Sequence, residues 1–372
     1  MTAYFIRRLL LILPTFLGVT IIAFTITRLV PGGPLEREIM RMRQAQAMGE
    51  AGGSAGASNI VDPTASIPSR SLDQLKKQFD LDKPGYEAYF LWLKKICTLN
   101  LGESYVYREP VWDLIAKRFP ISLTFGLTGF FLAYLVSIPL GILKALRHGS
   151  TFDVFSCGVV FVGYSIPGWA FGALLLVFLA SGRFYDVFPL GDIKTSTYEE
   201  LPSIVRNMED LDDVTDDFGT FEWDRLSLLS RIIDRSYHMA LPVFCYMMGS
   251  FATLTMLTKN SLMENLGQDY VRTAFAKGLA PNRVIFVHTL RNSMIPLATG
   301  LGHALSVLMA GSYLIEWVFN IDGIGYLGYT SILGRDYTVV MGILAINTVL
   351  ILFGNILSDV LYAVIDPRIR FE

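Results

Sequence analysis

The chain is poor in charged residues and in the residue types that usually build catalytic or metal sites. Only 17% of its 372 residues are charged, whereas soluble domains carry about 25%. Its three cysteines and four histidines form no Cys/His cluster, so neither a disulfide framework nor a metal site is indicated. No GxxxxGK[ST] stretch is present, so the chain itself should bind and hydrolyse no ATP. Neither an H-E-x-x-H pair nor a nucleophile with its base is evident, so no catalytic residue is predicted.

Apolar residues are abundant instead, at 52% of the chain, and they occur in long runs. A helix needs about 20 apolar residues to cross a hydrocarbon core about 30 Å thick. Six segments qualify: 9–30, 121–143, 155–180, 238–258, 296–319 and 338–364. They predict an all-α membrane protein with about six transmembrane helices. A cleavable signal peptide is the alternative for the first segment, but its length and the lack of an A-x-A-like site favour a retained span.

Basic residues in the short loops predict the orientation of these spans. The loop 259–295 carries five basic and two acidic residues, a net charge of 5 − 2 = +3. The other basic positions on the same side of a six-span chain are Arg7, Arg8, Lys144, Arg147, Arg368 and Arg370. That side is predicted to be cytoplasmic, with both termini inside.

Three regions are predicted: an N-terminal span (1–30), an external segment (31–119) and a core of spans two to six (120–372). In the external segment, residues 45–71 are rich in Ala, Gly and Ser and predict loose chain. Two short amphipathic helices are expected after it, broken at Lys83-Pro84. The core contains an external loop, 181–237, with thirteen acidic and six basic residues. This loop is either a solvated, charge-rich connection or a docking surface for an external partner.

The cytoplasmic loop 259–295 is long enough to hold two helices. Gly278 suits the residue that follows the first helix, and Pro281 suits the first position of the second. Small residues beside the turn would let a cytoplasmic partner approach the backbone closely. An amphipathic helix lying on lipid headgroups is the alternative for the loop. For Gly278 itself, an ordinary helix C-cap is the alternative to close approach.

The stretch from Tyr270 to Gly278 resembles the "EAA" loop of ABC importer permeases, in its oligopeptide/dipeptide/nickel form. The resemblance continues in order along nearly the whole chain. Similar segments occur at 81–84, 101–104, 165–169, 241–242, 335–337 and 366–370. Within this family, the length and the Pro31-Gly-Gly-Pro34 opening are similar to the B-type permease of the microcin C/oligopeptide importer.

The resemblance implies a type I ABC importer permease fold in a bacterial inner membrane. It implies a pore shared with a second, similar but non-identical permease, separate ATPase subunits that hold ATP-Mg, and an extracytoplasmic solute-binding protein. The chain itself would bind no cofactor and no nucleic acid, and lipid would surround it. The implied ATPase-coupling residues are Asp269, Tyr270, Arg272, Thr273, Ala274, Lys277 and Gly278.

Polar groups in or near the last two spans are weaker candidates, for lining the pore. They are His303, Glu316, Asn347 and Asn355, with Asp359 nearby. The expected substrate is an oligopeptide or a modified peptide, and nickel or another small solute is the alternative. A secondary transporter is the rival from another class, although no repeat relates the two halves of the chain.

Overall fold

A computed structural model describes residues 2–29, 82–216, 219–298 and 312–365. Within these ranges the chain is helical, and its β-structure is limited to two isolated bridges. The chain divides into two compact units. The larger contains the described residues of Met1–Phe5, Arg118–Leu327 and Leu350–Glu372, and the smaller those of Ile6–Lys117 and Gly328–Val349. The prediction of an all-α protein is confirmed for the described residues.

Ten α-helices of six or more residues are named here, all within the described ranges. In chain order they are α1 (Thr2–Leu29), α2 (Gly85–Cys97), α3 (Val111–Leu146), α4 (Thr151–Ser165), α5 (Gly168–Leu179), α6 (Leu228–Leu266), α7 (Asp269–Ala276), α8 (Tyr313–Val318), α9 (Ile324–Leu333) and α10 (Tyr337–Ile365). A six-residue π-helix lies at Val284–Thr289, and shorter helical pieces lie at Tyr198–Glu200, Ser203–Arg206, Trp223–Arg225, Pro281–Arg283 and Leu290–Ser293.

Four helices in the described part of the chain are long and apolar enough to cross a membrane. They are α1, α3, α6 and α10, at the positions of the predicted first, second, fourth and sixth spans. The count becomes five if α4 and α5 together form one span. The predicted fifth span, 296–319, contains residues 299–311, which lie outside the described residues, so the six-span count stays a prediction.

The predicted third span, 155–180, is not one uninterrupted helix. The axes of α4 and α5 differ by 96°, and the break falls at Ile166 and Pro167. Proline has no N–H to donate to the preceding turn and disfavours helical backbone in the residue before it. Ile166 is accordingly extended, with φ −98° and ψ 121°. The two helices have 15 and 12 residues, about 22 and 18 Å, so each alone is too short to cross the hydrocarbon core.

An apolar cluster holds the helices of the larger unit together. It joins Phe125 of α3 to Leu241 and Cys245 of α6, and to Ile315 and Phe319 at α8. All five side chains are buried. Close packing of these side chains sets the positions of helices that are remote in sequence, because van der Waals contact holds helices together where the surroundings are themselves apolar.

The acidic loop 181–237 has a small core of its own, so its described part is more than a solvated connection. Leu201, Val205, Val214, Trp223 and Leu226 pack together and are buried. Hydrogen bonds connect this core to α6. The fully buried carboxylate of Asp234 in α6 accepts them from Trp223 Nε1 at 2.8 Å and from the Thr195 backbone N–H at 3.1 Å. A charge-rich sequence therefore folds onto the start of α6.

The Glu209 carboxylate also fastens this loop to the first turn of α6. It accepts hydrogen bonds from the Ser227 backbone N–H at 3.1 Å and from the Ser230 hydroxyl. These bonds from Ser227 and Ser230 hold the pKa of Glu209 below its usual range, because they favour the ionised form.

The smaller unit brings two segments of the region 31–119, which the sequence predicts to be external, into defined positions. Helix α2 follows Pro84, as predicted, and Tyr89 Oη lies 2.9 Å from Thr20 Oγ1 of α1. The other predicted amphipathic helix, near 72–79, lies outside the described residues. Further on, the buried Asp336 carboxylate accepts hydrogen bonds from Ser104 Oγ at 2.5 Å and Val106 N–H at 3.1 Å. The similar segments 101–104 and 335–337 thus meet, just before α10 begins.

Candidate functional site

Helix α7 presents the predicted coupling residues on an exposed surface. Its eight residues begin at Asp269, whose negative charge suits the positive end of the helix dipole. Within α7 only Val271 is buried, at 1% exposure, so this side chain anchors the helix. Six of the seven predicted coupling residues are exposed and Ala274 is half-buried: Asp269, Tyr270, Arg272, Thr273, Lys277 and Gly278 are the exposed ones.

Gly278 ends α7 in a Schellman motif. Its φ is +77°, a left-handed conformation that side chains with a Cβ disfavour. The Gly278 N–H donates to Phe275 O at 2.9 Å, and the Leu279 N–H donates to Ala274 O at 3.3 Å. Among the described residues, nothing lies within 4 Å of where a Cβ would stand. The backbone conformation, and not crowding inside this chain, accounts for glycine at this position.

A second helical arm follows the turn, as the sequence predicted. Pro281 is its first residue, and the arm continues through Leu290–Ser293. The middle, Val284–Thr289, is wound as a π-helix, which the sequence did not predict. Val284 and Thr289 are fully buried. The coupling elbow, defined as α7 and this arm (residues 269–293), is attached to α6, because Ser261 Oγ donates to Ser293 O at 2.9 Å.

The exposed face of α7 combines aromatic and charged groups. Tyr270 and Phe275 are 38% and 44% exposed, which leaves two rings open to a binding partner. The Arg272 and Asp269 side chains lie 3.7 Å apart but are 75% and 98% exposed. A pair so solvated adds little to stability. Both side chains can therefore change partners at little cost when another protein covers the face.

A buried ion cluster lies at the same end of α6, and sequence analysis missed it. The Asp153 carboxylate of α4 receives Lys259 Nζ of α6 at 2.7 Å on both oxygens. Lys144 Nζ of α3 lies 3.2 Å from one of those oxygens. The three residues are at most 6% exposed. The two lysines served in the sequence only as markers of orientation. Lys144 is 9 positions from Asp153, but nothing local pairs Lys259 with a carboxylate 106 positions away.

The pore candidates occupy different environments. Glu316 is fully buried, and its carboxylate accepts hydrogen bonds from Ser122 Oγ at 3.0 Å and Tyr326 N–H at 2.7 Å. Asn347 Oδ1 is buried with no hydrogen-bond partner in the described part of the chain. Asn355 is half-buried and His303 lies outside the described residues. A pore-lining role for any of them stays a prediction.

The apolar helices, the broken pair and the exposed elbow define a multi-pass membrane protein with a surface open to a partner. Residues 137–371 match the family described as binding-protein-dependent transport system inner membrane component. This match begins within α3 and includes the elbow. The chain belongs to that family, and it is a multi-pass protein of the inner membrane.

Similarity to individual family members covers the whole chain. The inner membrane ABC transporter permease protein YejB of Escherichia coli O157:H7 is 37% identical, over 100% of both chains. The peptidoglycan transport system permease protein YejB of Agrobacterium fabrum is 35% identical, over 100% of this chain and 99% of its own length. The dipeptide transport system permease protein DppB of Escherichia coli K12 is 33% identical, over 100% of both.

Proposed function

We propose that this chain is the permease subunit of an ATP-driven importer of oligopeptides or modified peptides. The observation that carries the proposal is similarity along the full length to permeases named for dipeptide and peptidoglycan transport. A second permease of the same family completes the pore, and an extracytoplasmic binding protein delivers the substrate. The fold is that of a type I importer permease with six spans.

ATP-Mg is bound and hydrolysed by separate ATPase subunits, and the coupling elbow receives their motion. Three features support this role: α7 is exposed, it is anchored by the single buried side chain of Val271, and its end is fixed by the Gly278 cap. A short helix held rigidly at one face can fill a groove on another protein and transmit its displacement.

The length of α6 supports opposite locations for the elbow and the acidic loop. Asp234 and Lys259 mark its two ends and are 259 − 234 = 25 residues apart in one helix. At 1.5 Å per residue they are about 37 Å apart, more than the hydrocarbon core of about 30 Å. The net charge of +3 in 259–295 favours the cytoplasmic side for the elbow. Both termini then lie in the cytoplasm and loop 181–237 lies outside.

Uptake measurements test the substrate. Cells that lack this chain are compared with the same cells complemented by it, using labelled dipeptides, oligopeptides, modified peptides and Ni²⁺. We expect peptide uptake to disappear without the chain and nickel uptake to stay unchanged. Loss of nickel uptake with normal peptide uptake would favour the alternative substrate. Peptide uptake that continues after ATP is depleted would favour a secondary transporter.

Copurification tests the elbow. Arg272→Glu reverses an exposed charge on α7, and Arg183→Glu makes the same change at an exposed site of loop 181–237. We expect the first variant to lose on the order of tenfold of its copurifying ATPase, because it alters a surface meant for that partner. The second variant should retain it. Equal retention by both variants would remove the elbow from the ATPase interface.

A further inference from the structure

We propose that Asp153 and Lys259 are positioning residues that pass the movement of the coupling elbow into the broken helix pair α4/α5. The inference rests on the proposed function, since it needs an ATPase that moves the elbow. The ion pair joins α4 to α6 at a point close to the elbow. None of the sequence features that predict the elbow points to this pair.

The contact between Asp153 and Lys259 is direct and shielded from water. Lys259 Nζ lies 2.7 Å from each oxygen of the carboxylate, and the side chains are 8% and 5% exposed. Asp153 stands in the first turn of α4, and Ser150 Oγ caps the same turn by accepting the Asp153 N–H. The ion pair therefore holds the first turn of α4, so a displacement of Lys259 moves the N-terminal end of that helix.

The elbow connects to Lys259 through a short, continuous path. Lys259 and Ser261 lie in the last two turns of α6, and Ser261 Oγ donates to Ser293 O in the second arm. Leu262 of α6 and Val284 of that arm are both fully buried. Helix α7 starts three residues after α6 ends. The elbow and this part of α6 are thus packed as one body, which would move together.

Lys144 joins α3 to α4 next to this ion pair, and its hydrogen bonds to α4 do not require the Asp153 carboxylate. Its Nζ donates to Asp153 O at 3.0 Å and to Ser156 Oγ at 2.7 Å, besides its approach to the carboxylate. Both hydrogen bonds of Lys259 Nζ in the described part of the chain go to that carboxylate. Neutralising Asp153 therefore removes the ion pair of α4 with α6, while Lys144 of α3 keeps three hydrogen bonds to α4, the third to Cys157 Sγ at 3.1 Å.

Stability alone is a poor reason for this arrangement. Two charges lose their hydration when they are buried, and the attraction between them often returns no more than that cost. A buried, two-point contact does fix direction and register, because a shift would leave the Lys259 ammonium without the carboxylate that accepts both of its hydrogen bonds in the described part of the chain. The bend of 96° between α4 and α5 means that a push on the start of α4 turns the pair instead of sliding it.

The test uses the assembled importer, with its own ATPases and binding protein, in lipid vesicles. ATP hydrolysis and peptide import are measured together for wild type, Asp153→Asn, Lys259→Met, the double variant and Lys259→Arg. We expect the two single variants to keep hydrolysing ATP while import per ATP falls on the order of tenfold. The double variant should lose no more than either single one, because both changes break the same contact. Lys259→Arg, which keeps the charge, should retain most of the import.

The control is Lys117→Met, which removes a lysine of α3 from an exposed ion pair with Glu109. It should behave as wild type. Assembled single variants with normal import per ATP would overturn the inference, as would losses that add in the double variant. If the single variants fail to assemble, the double variant removes both charges of the pair, and normal import per ATP in it would equally overturn the inference. A wild-type complex that hydrolyses no ATP or imports no peptide would instead refute the proposed function.

Discussion

At the scale of single residues, Gly278 carries two separable properties. Its left-handed backbone, with φ +77°, favours glycine for conformational reasons. The space around it is open, so its missing side chain would matter only to a second protein. A helix cap and a place of close approach are thus both compatible with the geometry, and a choice of substitutions separates them.

Asn tolerates left-handed backbone better than other residues with a Cβ, whereas Ala does not. We expect Gly278→Ala to destabilise the elbow by about 1 kcal/mol through backbone strain. Gly278→Asn should unfold at nearly the wild-type temperature. If a partner approaches closely, Gly278→Asn will nevertheless lose peptide uptake, which is measured in the complementation assay. Normal uptake in the Asn variant, with a defect only in the Ala variant, would assign Gly278 to capping alone.

At the scale of helices, the approach of α5 to α6 depends on a glycine directly after the break. A Cβ added to Gly168 would stand 2.7 Å from Cys245 O, and a backbone carbonyl inside α6 cannot easily move. Pro167 and Gly168 therefore act together, because proline interrupts the helix and glycine lets the new helix pack against α6. The apolar cluster that contains Cys245 and Phe319 packs next to this contact.

We expect Gly168→Ala to lower the free energy of unfolding by about 1–3 kcal/mol, the usual cost of an overpacked contact. Gly158→Ala is the matched control, because Gly158 lies within α4 and has nothing within 4 Å of its added Cβ. That change should be neutral or stabilise α4 by about 0.5–1 kcal/mol. Thermal unfolding of the purified proteins in detergent measures both. Equal unfolding temperatures for the two variants would contradict the close helix crossing.

At the scale of the whole molecule, the proposed orientation puts folded material on both sides of the membrane. Loop 181–237 has its own apolar core and is tied to the start of α6. The elbow is tied to the other end of the same helix. A helix of 39 residues separates them, which is more than a membrane requires.

Cysteine labelling checks this orientation in intact spheroplasts. In a Cys97→Ser background, Asp213→Cys in the acidic loop and Arg272→Cys in α7 are both exposed sites. We expect a membrane-impermeant maleimide to label the first variant in intact spheroplasts and the second only after they are opened. The Cys97→Ser chain without a further substitution is the control, because it shows how much label the two remaining cysteines take up. The reverse pattern would invert the topology and place the elbow out of reach of any ATPase.

Much of this protein could be read from local sequence. Apolar runs predicted four helices that the structure bears out, because a membrane requires a length of apolar residues that no soluble domain needs. The two helical arms of the elbow and the turn between them could also be predicted, since Gly278 and Pro281 have their own backbone preferences. These features depend on residues that are neighbours in the chain, so composition and spacing alone determine them.

Tertiary structure alone decided the rest. Pro167 accounts locally for a break, but the angle of 96° depends on how α5 packs against α6. The loop core formed by Trp223 and its neighbours joins residues scattered over 26 positions. The partner of Lys259 lies 106 residues away. A buried charge takes whichever opposite charge the folded backbone brings within reach, and that distance is set by the packing of whole helices rather than by any local pattern.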